Sequence, residues 1–189
     1  GIHTETVTVN SGATTTLPVR SLSGDPEKAA AIWRIGTWDG TPLEFMNGAD
    51  LPLRHPSDSR NAGWGPVTYT VGAPFNTFPA VQWVRNTNNP TTVKFDLAPE
   101  QVLAGHTIRV GIPIAMKGAR PQIKVNAWNS ANPASSVQPV SRNLTLGTYR
   151  GNNAVYTFNV PASAFVAGTN TLTINAISGL MHLEQGEEP

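Results

Sequence analysis

Residues 31–64 (AIWRIGTWDGTPLEFMNGADLPLRHPSDSRNAGW) hold the densest group of side chains that could bind a ligand or take part in a reaction. Three of the five tryptophans lie here, Trp33, Trp38 and Trp64, and so do the arginines Arg34, Arg54 and Arg60. Tryptophan rings stack on the apolar faces of pyranose sugars, and arginine pairs with the carboxylate of an acidic sugar. This composition favours a sugar-binding site.

The two tryptophans best suited to stacking are Trp38 and Trp64, because both lie beside glycines in irregular sequence. Trp33 and Arg34 fall on opposite faces if residues 31–36 form a strand, so only one of them faces solvent. Tryptophan in a β-sandwich is more often part of the core than of a binding site. On that ground Trp83 and Trp128, on or just after alternating runs, are predicted to be core residues.

Catalysis is a weaker interpretation of the same segment. Its carboxylates, Asp39, Glu44, Asp50 and Asp58, could supply a general acid and base, but loop spacing does not fix the separation that such a pair needs. Aspartates commonly cap turns instead. His55 and Asp58 lie close in sequence to serines, but no serine has the strand-turn-helix surroundings of a nucleophile in a Ser-His-Asp triad. Arg60 is expected to pair with Asp58. We predict no catalytic residue.

A metal site is a limited alternative. Oxygen ligands from Asp39, Asp50 and Asp58 would suit a structural Ca²⁺, although the spacing of a helix-loop-helix calcium site is missing. The sequence has no cysteine, which excludes disulfides, thiolate nucleophiles and cysteine-based zinc sites. The four histidines are scattered without zinc spacing. No other cofactor is predicted.

Composition and charge favour one ordinary all-β domain. The chain has 189 residues, 17 glycines, 16 prolines and only 13% charged residues, which is typical of many short strands joined by turns. A net charge of +1 argues against nucleic acid as a partner. No apolar run is long enough to span a membrane. One glycosylation tripeptide at residues 143–145 fits a secreted protein weakly.

Alternation of apolar and polar residues predicts the strands. The clearest runs contain Val93, Phe95 and Leu97, then Ile108 to Ile114, and they recur at short intervals from residue 67 to residue 176. Only residues 98–103 and 161–166 could form helical turns. The expected fold is an all-β jelly-roll sandwich of roughly eight to ten strands. Residues 1–28 are predicted to be a hairpin and a linker, and residues 29–189 the main domain.

Several strings in the segment resemble a known family: IWRIG at 32–36, WDGTP at 38–42, EF at 44–45 and HPSDSR at 55–60. Together they are similar to the C-terminal domain of fungal rhamnogalacturonan lyases of polysaccharide lyase family 4. The resemblance covers residues 29–178. It departs after Ser178, where the sequence is shorter than the family pattern and becomes acidic. Residues 180–183 then supply a truncated last strand, or the tail is an alternative end.

The resemblance implies a jelly roll like a carbohydrate-binding module, preceded by the tail of a fibronectin-III-like domain over residues 1–28. It implies a secreted, extracellular protein that acts on the rhamnogalacturonan I backbone of pectin. The family's catalytic residues belong to another module, so none carries over to this sequence. Trp33, Asp39, His55 and Asp58 then belong to a structural motif.

Two functions remain open at this point. In the first, Trp38 and Trp64 stack on sugar rings while Arg34, Arg54 or Arg60 contacts galacturonate carboxylates. In the second, the domain only packs against the catalytic module of the same lyase and stabilises it, because tryptophan and arginine are also favoured at protein interfaces.

Overall fold

The computed structural model describes residues 8, 11–12, 14, 31–37, 39, 41–49, 65–84, 88–112, 115–135 and 154–181, without the side chains of 83, 115–118 and 179–181. The chain divides into two compact units, Gly1–Arg34 and Ile35–Pro189. The predicted hairpin and linker of residues 1–28 lie almost wholly outside the described residues. The division at residue 28 and the fibronectin-III-like origin of the hairpin stay predictions.

The second unit contains eight strands in its described part. They are β1 Thr68–Thr70, β2 Gln82–Trp83, β3 Thr91–Leu97, β4 His106–Ile112, β5 Ala115–Val125, β6 Trp128–Asn129, β7 Ala154–Val160 and β8 Gly168–Met181. The described residues form no α-helix, and their 3-10 turns include Phe75–Thr77, Pro99–Leu103 and Ala162–Ala164. The all-β prediction is confirmed, and 3-10 turns form in both segments predicted to hold them. The expectation that only these two segments form such turns is wrong, because Phe75–Thr77 forms another. No helix in the described part of the chain is long and apolar enough to cross a membrane.

The strands form two sheets. One has the order β1-β3-β8-β5-β6, with β2 also paired to β8, and the other consists of β4 and β7. All pairs are antiparallel except β1 with β3, which is parallel. β8 is the central strand of the larger sheet: β5 pairs along one side of it, and β3 and then β2 pair along the other.

The core lies between the two sheets because the inward positions of the alternating runs are apolar. Val93, Phe95 and Leu97 of β3 are buried, as are Tyr156, Phe158 and Val160 of β7 and Leu172, Ile174 and Ala176 of β8. Full burial of one such aliphatic or aromatic side chain contributes about 1.5–3 kcal/mol. The Tyr156 hydroxyl donates a hydrogen bond of 2.8 Å to the carbonyl of Ala119, which joins β7 to β5 across this core.

The side chain of Asn89 bonds the backbone of β8 at a position between the part of β8 that pairs with β3 and the part that pairs with β2. The side-chain oxygen of Asn89 accepts from the backbone N–H of Ala176 at 2.9 Å, and its amide nitrogen donates to the Ala176 carbonyl at 3.1 Å. The amide of Gln82 on β2 donates both to this oxygen and to the Ile174 carbonyl. A side-chain amide thus replaces one residue of strand pairing, which satisfies backbone groups that burial would otherwise leave unpaired.

One detail of the core differs from what the sequence predicts. Trp128 is half-buried at the β5–β6 hairpin rather than in the core, because β6 is a two-residue edge strand. The Trp83 side chain lies outside the described residues. At the other end of the chain, β8 continues to Met181, and Leu180 pairs with Trp83 and Met116. The first part of the predicted 180–183 strand therefore continues β8.

Candidate functional site

Most of the predicted sugar-binding residues lie outside the described residues: Trp38, Trp64, Arg54 and Arg60, with the motif and metal candidates His55, Asp50 and Asp58. Their roles stay predictions. Trp33 and Arg34 are described and are both half-buried. Residues 31–37 form no strand, so the expectation that a strand sends these two side chains to opposite faces does not apply.

The described part of the motif packs around Phe45. Gly36 is buried with a positive φ of 78°, which non-glycine residues rarely adopt. A Cβ atom at Gly36 would lie 2.4 Å from Cζ of the Phe45 ring, so this ring packs directly on the glycine backbone. The glycine in the IWRIG string is therefore required both by its dihedral angle and by the close approach of an aromatic ring.

Two of the carboxylates considered for catalysis are acceptors in turns. Glu44 Oε1 accepts a hydrogen bond of 2.8 Å from the backbone N–H of Thr37. Asp39 Oδ1 accepts from both the backbone N–H and the hydroxyl of Thr41, each at 2.9 Å, which is the geometry of an Asx turn. These contacts hold the backbone on both sides of position 38 in the sequence. Asp39 and Glu44 have local structural partners of the kind that loop aspartates and glutamates often have.

An aromatic cluster fastens this segment to the loop that follows β1. The Phe45 ring lies 5.2 Å from Phe78 and 6.4 Å from Phe75, and Tyr69 of β1 lies 5.4 Å from Phe78. The Met46 N–H donates to the Phe78 carbonyl at 2.8 Å, which adds a backbone connection. Edge-to-face aromatic pairs contribute about 0.5–1.5 kcal/mol beyond area burial.

Tyr69 forms the buried base of the cluster. Its side chain is 1% exposed, and its hydroxyl donates to the Ala73 carbonyl at 2.7 Å. Burial raises the pKa of the Tyr69 hydroxyl above its ordinary value, because the phenolate would lose hydration. The cluster is therefore an uncharged support for the loops around it.

Phe75 is the described residue best placed to stack on a ligand, and the sequence did not single it out. The residue is 39% exposed, and its ring makes an edge-to-face contact with Phe45. The exposed polar residues Asn76 and Thr77 follow it, and the Thr77 hydroxyl donates to the Pro74 carbonyl at 2.7 Å, which closes the turn. The available signal was its position in the FNTF string, an aromatic residue in a turn outside any alternating run.

The described residues contain no group of three histidine, aspartate or glutamate side chains placed to hold a metal ion. The calcium prediction depends on Asp50 and Asp58 as well as Asp39, so it rests on positions outside the described part of the chain. His106 packs edge-on against Phe165 at 5.1 Å and contacts the Gln101 carbonyl. This histidine has a structural environment.

The geometry thus consists of an exposed aromatic ring and a hydrogen-bonded motif loop on a β-sandwich. Residues 31–186 match the family described as "CBM-like: Polysaccharide lyase family 4, domain III". The chain belongs to this family. The recognition made from the IWRIG, WDGTP and HPSDSR strings is confirmed.

Curated relatives agree with this membership. The chain is 42% identical over 178 residues to rhamnogalacturonate lyase A of Aspergillus aculeatus, an alignment that covers 94% of the chain and 33% of that relative. It is 44% identical over 175 residues to a probable rhamnogalacturonate lyase A of Aspergillus terreus, covering 92% and 32%. A putative rhamnogalacturonase of Neurospora crassa is 42% identical, covering 94% and 32%. The chain therefore spans about a third of the length of these relatives.

Proposed function

We propose that this chain is a non-catalytic accessory module of a secreted rhamnogalacturonan lyase, and that it assists binding of the rhamnogalacturonan I backbone of pectin. The observation that carries the proposal is the match of residues 31–186 to a carbohydrate-binding-module-like lyase domain. The names of the relatives supply the substrate class, since they are rhamnogalacturonate lyases.

The proposed contacts combine stacking with carboxylate recognition. Trp38 and Trp64 stack on sugar rings, and Arg34, Arg54 or Arg60 pairs with galacturonate carboxylates. We add Phe75 to this set, because its 39% exposed ring packs on Phe45, whose own ring covers Gly36 two positions before Trp38. Stacked aromatic rings and arginine forks are complementary to a chain of alternating neutral and acidic sugars.

Calorimetric titration of the protein with rhamnogalacturonan oligosaccharides tests this function. We expect saturable heat for the wild type and a loss of at least tenfold in affinity for Trp38→Ala. The surface variant Leu103→Ser, at the 3-10 turn between β3 and β4, serves as the matched control and should bind like the wild type. The absence of both heat and a change in tryptophan fluorescence at saturating sugar would contradict the proposal. The chain alone should also generate no ultraviolet-absorbing unsaturated uronate from the polymer.

A second candidate function is structural packing against the catalytic module of the same lyase. It is supported by the exposure of Leu103, 80%, in the 3-10 turn Pro99–Leu103, and of Val166, 53%, two residues after the 3-10 turn Ala162–Ala164 that contacts it. Exposed apolar side chains of neighbouring loops are typical of a covered surface. Mixing the chain with a separately produced catalytic module distinguishes the two functions. The structural alternative is favoured if the chain binds no sugar but forms a tight complex with the module, and if Leu103→Ser and Val166→Ser together abolish that complex.

A further inference from the structure

The outward face of the large sheet carries two exposed lysines, Lys94 on β3 and Lys124 on β5. Their neighbours in sequence, Val93, Ile123 and Val125, are buried in the core, so both lysines project from the opposite face. The two strands flank β8, where Lys94 pairs with Thr171 and Lys124 pairs with Thr173. Neither lysine belongs to the Phe75 turn or to residues 31–64.

The register fixes the spacing of these lysines. Two strand-to-strand steps and a two-residue offset along β8 separate their Cα atoms by about 12 Å, from the usual strand spacing and rise. Each ammonium group is carried by a flexible four-carbon side chain, so it can move by several ångströms to reach a carboxylate. The pair can therefore contact two successive carboxylates of one extended acidic chain.

Hydroxyl and amide groups cover the sheet between the lysines. One row across the strands runs Thr68, Thr92, Thr173 and Lys124, each paired to the next, and Gln122 pairs with Asn175 beside it. The side chains in these positions are exposed or half-buried and polar. Such groups can donate hydrogen bonds to sugar hydroxyls and accept hydrogen bonds from them, because a hydroxyl is both a donor and an acceptor.

The charge of the sheet is more positive than that of the whole chain. Its strands hold four basic residues, Lys94, Lys117, Arg120 and Lys124, against one carboxylate, Asp96, whereas the chain has a net charge of only +1. Asp96, two residues along β3 from Lys94 and on the same outward face, accepts a 2.7 Å hydrogen bond from the Thr169 hydroxyl. Arg120 donates to the Pro133 carbonyl at 2.8 Å, which leaves Lys94 and Lys124 as the exposed cations of the described face.

We propose that the Lys94–Lys124 face is a second carbohydrate-contacting surface, which binds the carboxylates of a polyuronate-containing chain. This inference rests on the proposed sugar-binding function and adds a surface and a charge specificity to it. The cationic, hydroxyl-rich face complements an acidic polysaccharide in both charge and hydrogen bonding. It discriminates acidic from neutral sugars, whereas aromatic stacking does not.

The test compares Lys94→Ala/Lys124→Ala with wild type by calorimetric titration against two ligands, a rhamnogalacturonan oligosaccharide and the same oligosaccharide with its carboxyl groups reduced to alcohols. We expect about three- to tenfold weaker binding of the acidic ligand, as two exposed charge pairs contribute, and unchanged binding of the reduced one. Lys94→Arg/Lys124→Arg should restore the affinity. Arg109→Ala, an exposed cation on the outward side of β4, is the control and should match the wild type.

Equal affinity of the double alanine variant and the wild type for the acidic ligand would overturn the lysine surface while leaving the accessory function intact. An equal loss for both ligands would also overturn it, because the effect would then be unrelated to charge. Failure of the wild type to bind either ligand would overturn both proposals. Binding that survives Trp38→Ala but is lost in the double lysine variant would support the lysine face alone.

Discussion

Asn170 offers the most demanding test of how this fold is held together. The residue is at the start of β8 and is fully buried. Its amide nitrogen donates to the carbonyls of Val166 and Gly168 at 2.7 and 2.9 Å. Its oxygen accepts from the Val166 N–H at 2.9 Å and from the Asn126 amide at 2.8 Å. One side chain thus joins the Ala162–Ala164 connection, the β5–β6 hairpin and the central strand.

Substitution Asn170→Ala removes all four hydrogen bonds and leaves their partners in the protein interior. A net value of about 1 kcal/mol for each bond gives a loss of up to about 4 kcal/mol, and water entering the space vacated by the amide recovers part of it. We therefore expect a loss of about 3 kcal/mol. Total stabilities of domains are about 5–15 kcal/mol, so the variant should still fold.

Urea unfolding, followed by tryptophan fluorescence, measures this change. The thermal midpoint should fall by about 6–12 °C, given about 2–4 °C for each kcal/mol in a protein of this size. Asn129→Ala, at an exposed asparagine in β6, should change stability by less than about 0.5 kcal/mol. A loss below about 1 kcal/mol for Asn170→Ala would refute the reasoning, because the four hydrogen bonds of the buried amide would then not stabilise the fold.

Three further predictions concern the motif and the aromatic cluster. Gly36→Ala should cost at least about 2 kcal/mol, because the positive φ strains alanine and its added Cβ would collide with the Phe45 ring. Gly72→Ala, with φ 93° and open space, should cost only about 1 kcal/mol in the same urea experiment. Equal losses for the two variants would contradict this prediction. The pKa of Tyr69 is raised in the folded state, so the stability that its protonated hydroxyl contributes is complete below the ordinary pKa near 10 and is lost as the pH rises through the folded-state pKa. The difference in unfolding free energy between wild type and Tyr69→Phe should therefore shrink between pH 9 and pH 11. A difference that stays constant over this range would count against the prediction. Phe75→Ala should weaken rhamnogalacturonan binding about fivefold or more with little loss of stability, and unchanged affinity would remove this ring from the proposed site.

The sequence predicted the fold class because alternation is strong where one face of a strand is buried. The β3 run with Val93, Phe95 and Leu97 and the β7 run with Phe158 and Val160 are buried as expected. Alternation identifies strands but not their partners. The parallel pairing of β1 with β3 was therefore not foreseen.

Buried polar side chains show why the rest could not be predicted. Asn170 lies in a threonine-rich string that has the composition of a surface, and only the meeting of three chain segments gives it four partners. The role of Asn89 could not be predicted for the same reason. Its side chain bonds the Ala176 backbone because β3 and β2 pair with separate parts of β8 and leave Ala176 between them. Phe75 was missed because the exposure of a ring depends on what packs beneath it, here Phe45 from a different part of the chain.

The central claim is that this domain binds rhamnogalacturonan through a definite surface. Titration of the isotopically labelled protein with a rhamnogalacturonan oligosaccharide, followed by backbone amide NMR shifts, tests that claim most directly. We predict saturable shifts at Thr37, Asp39 and Asn76, and at Lys94 and Lys124 on the sheet face. A spectrum unchanged at saturating oligosaccharide, or shifts confined to Leu103 and Val166, would contradict the account.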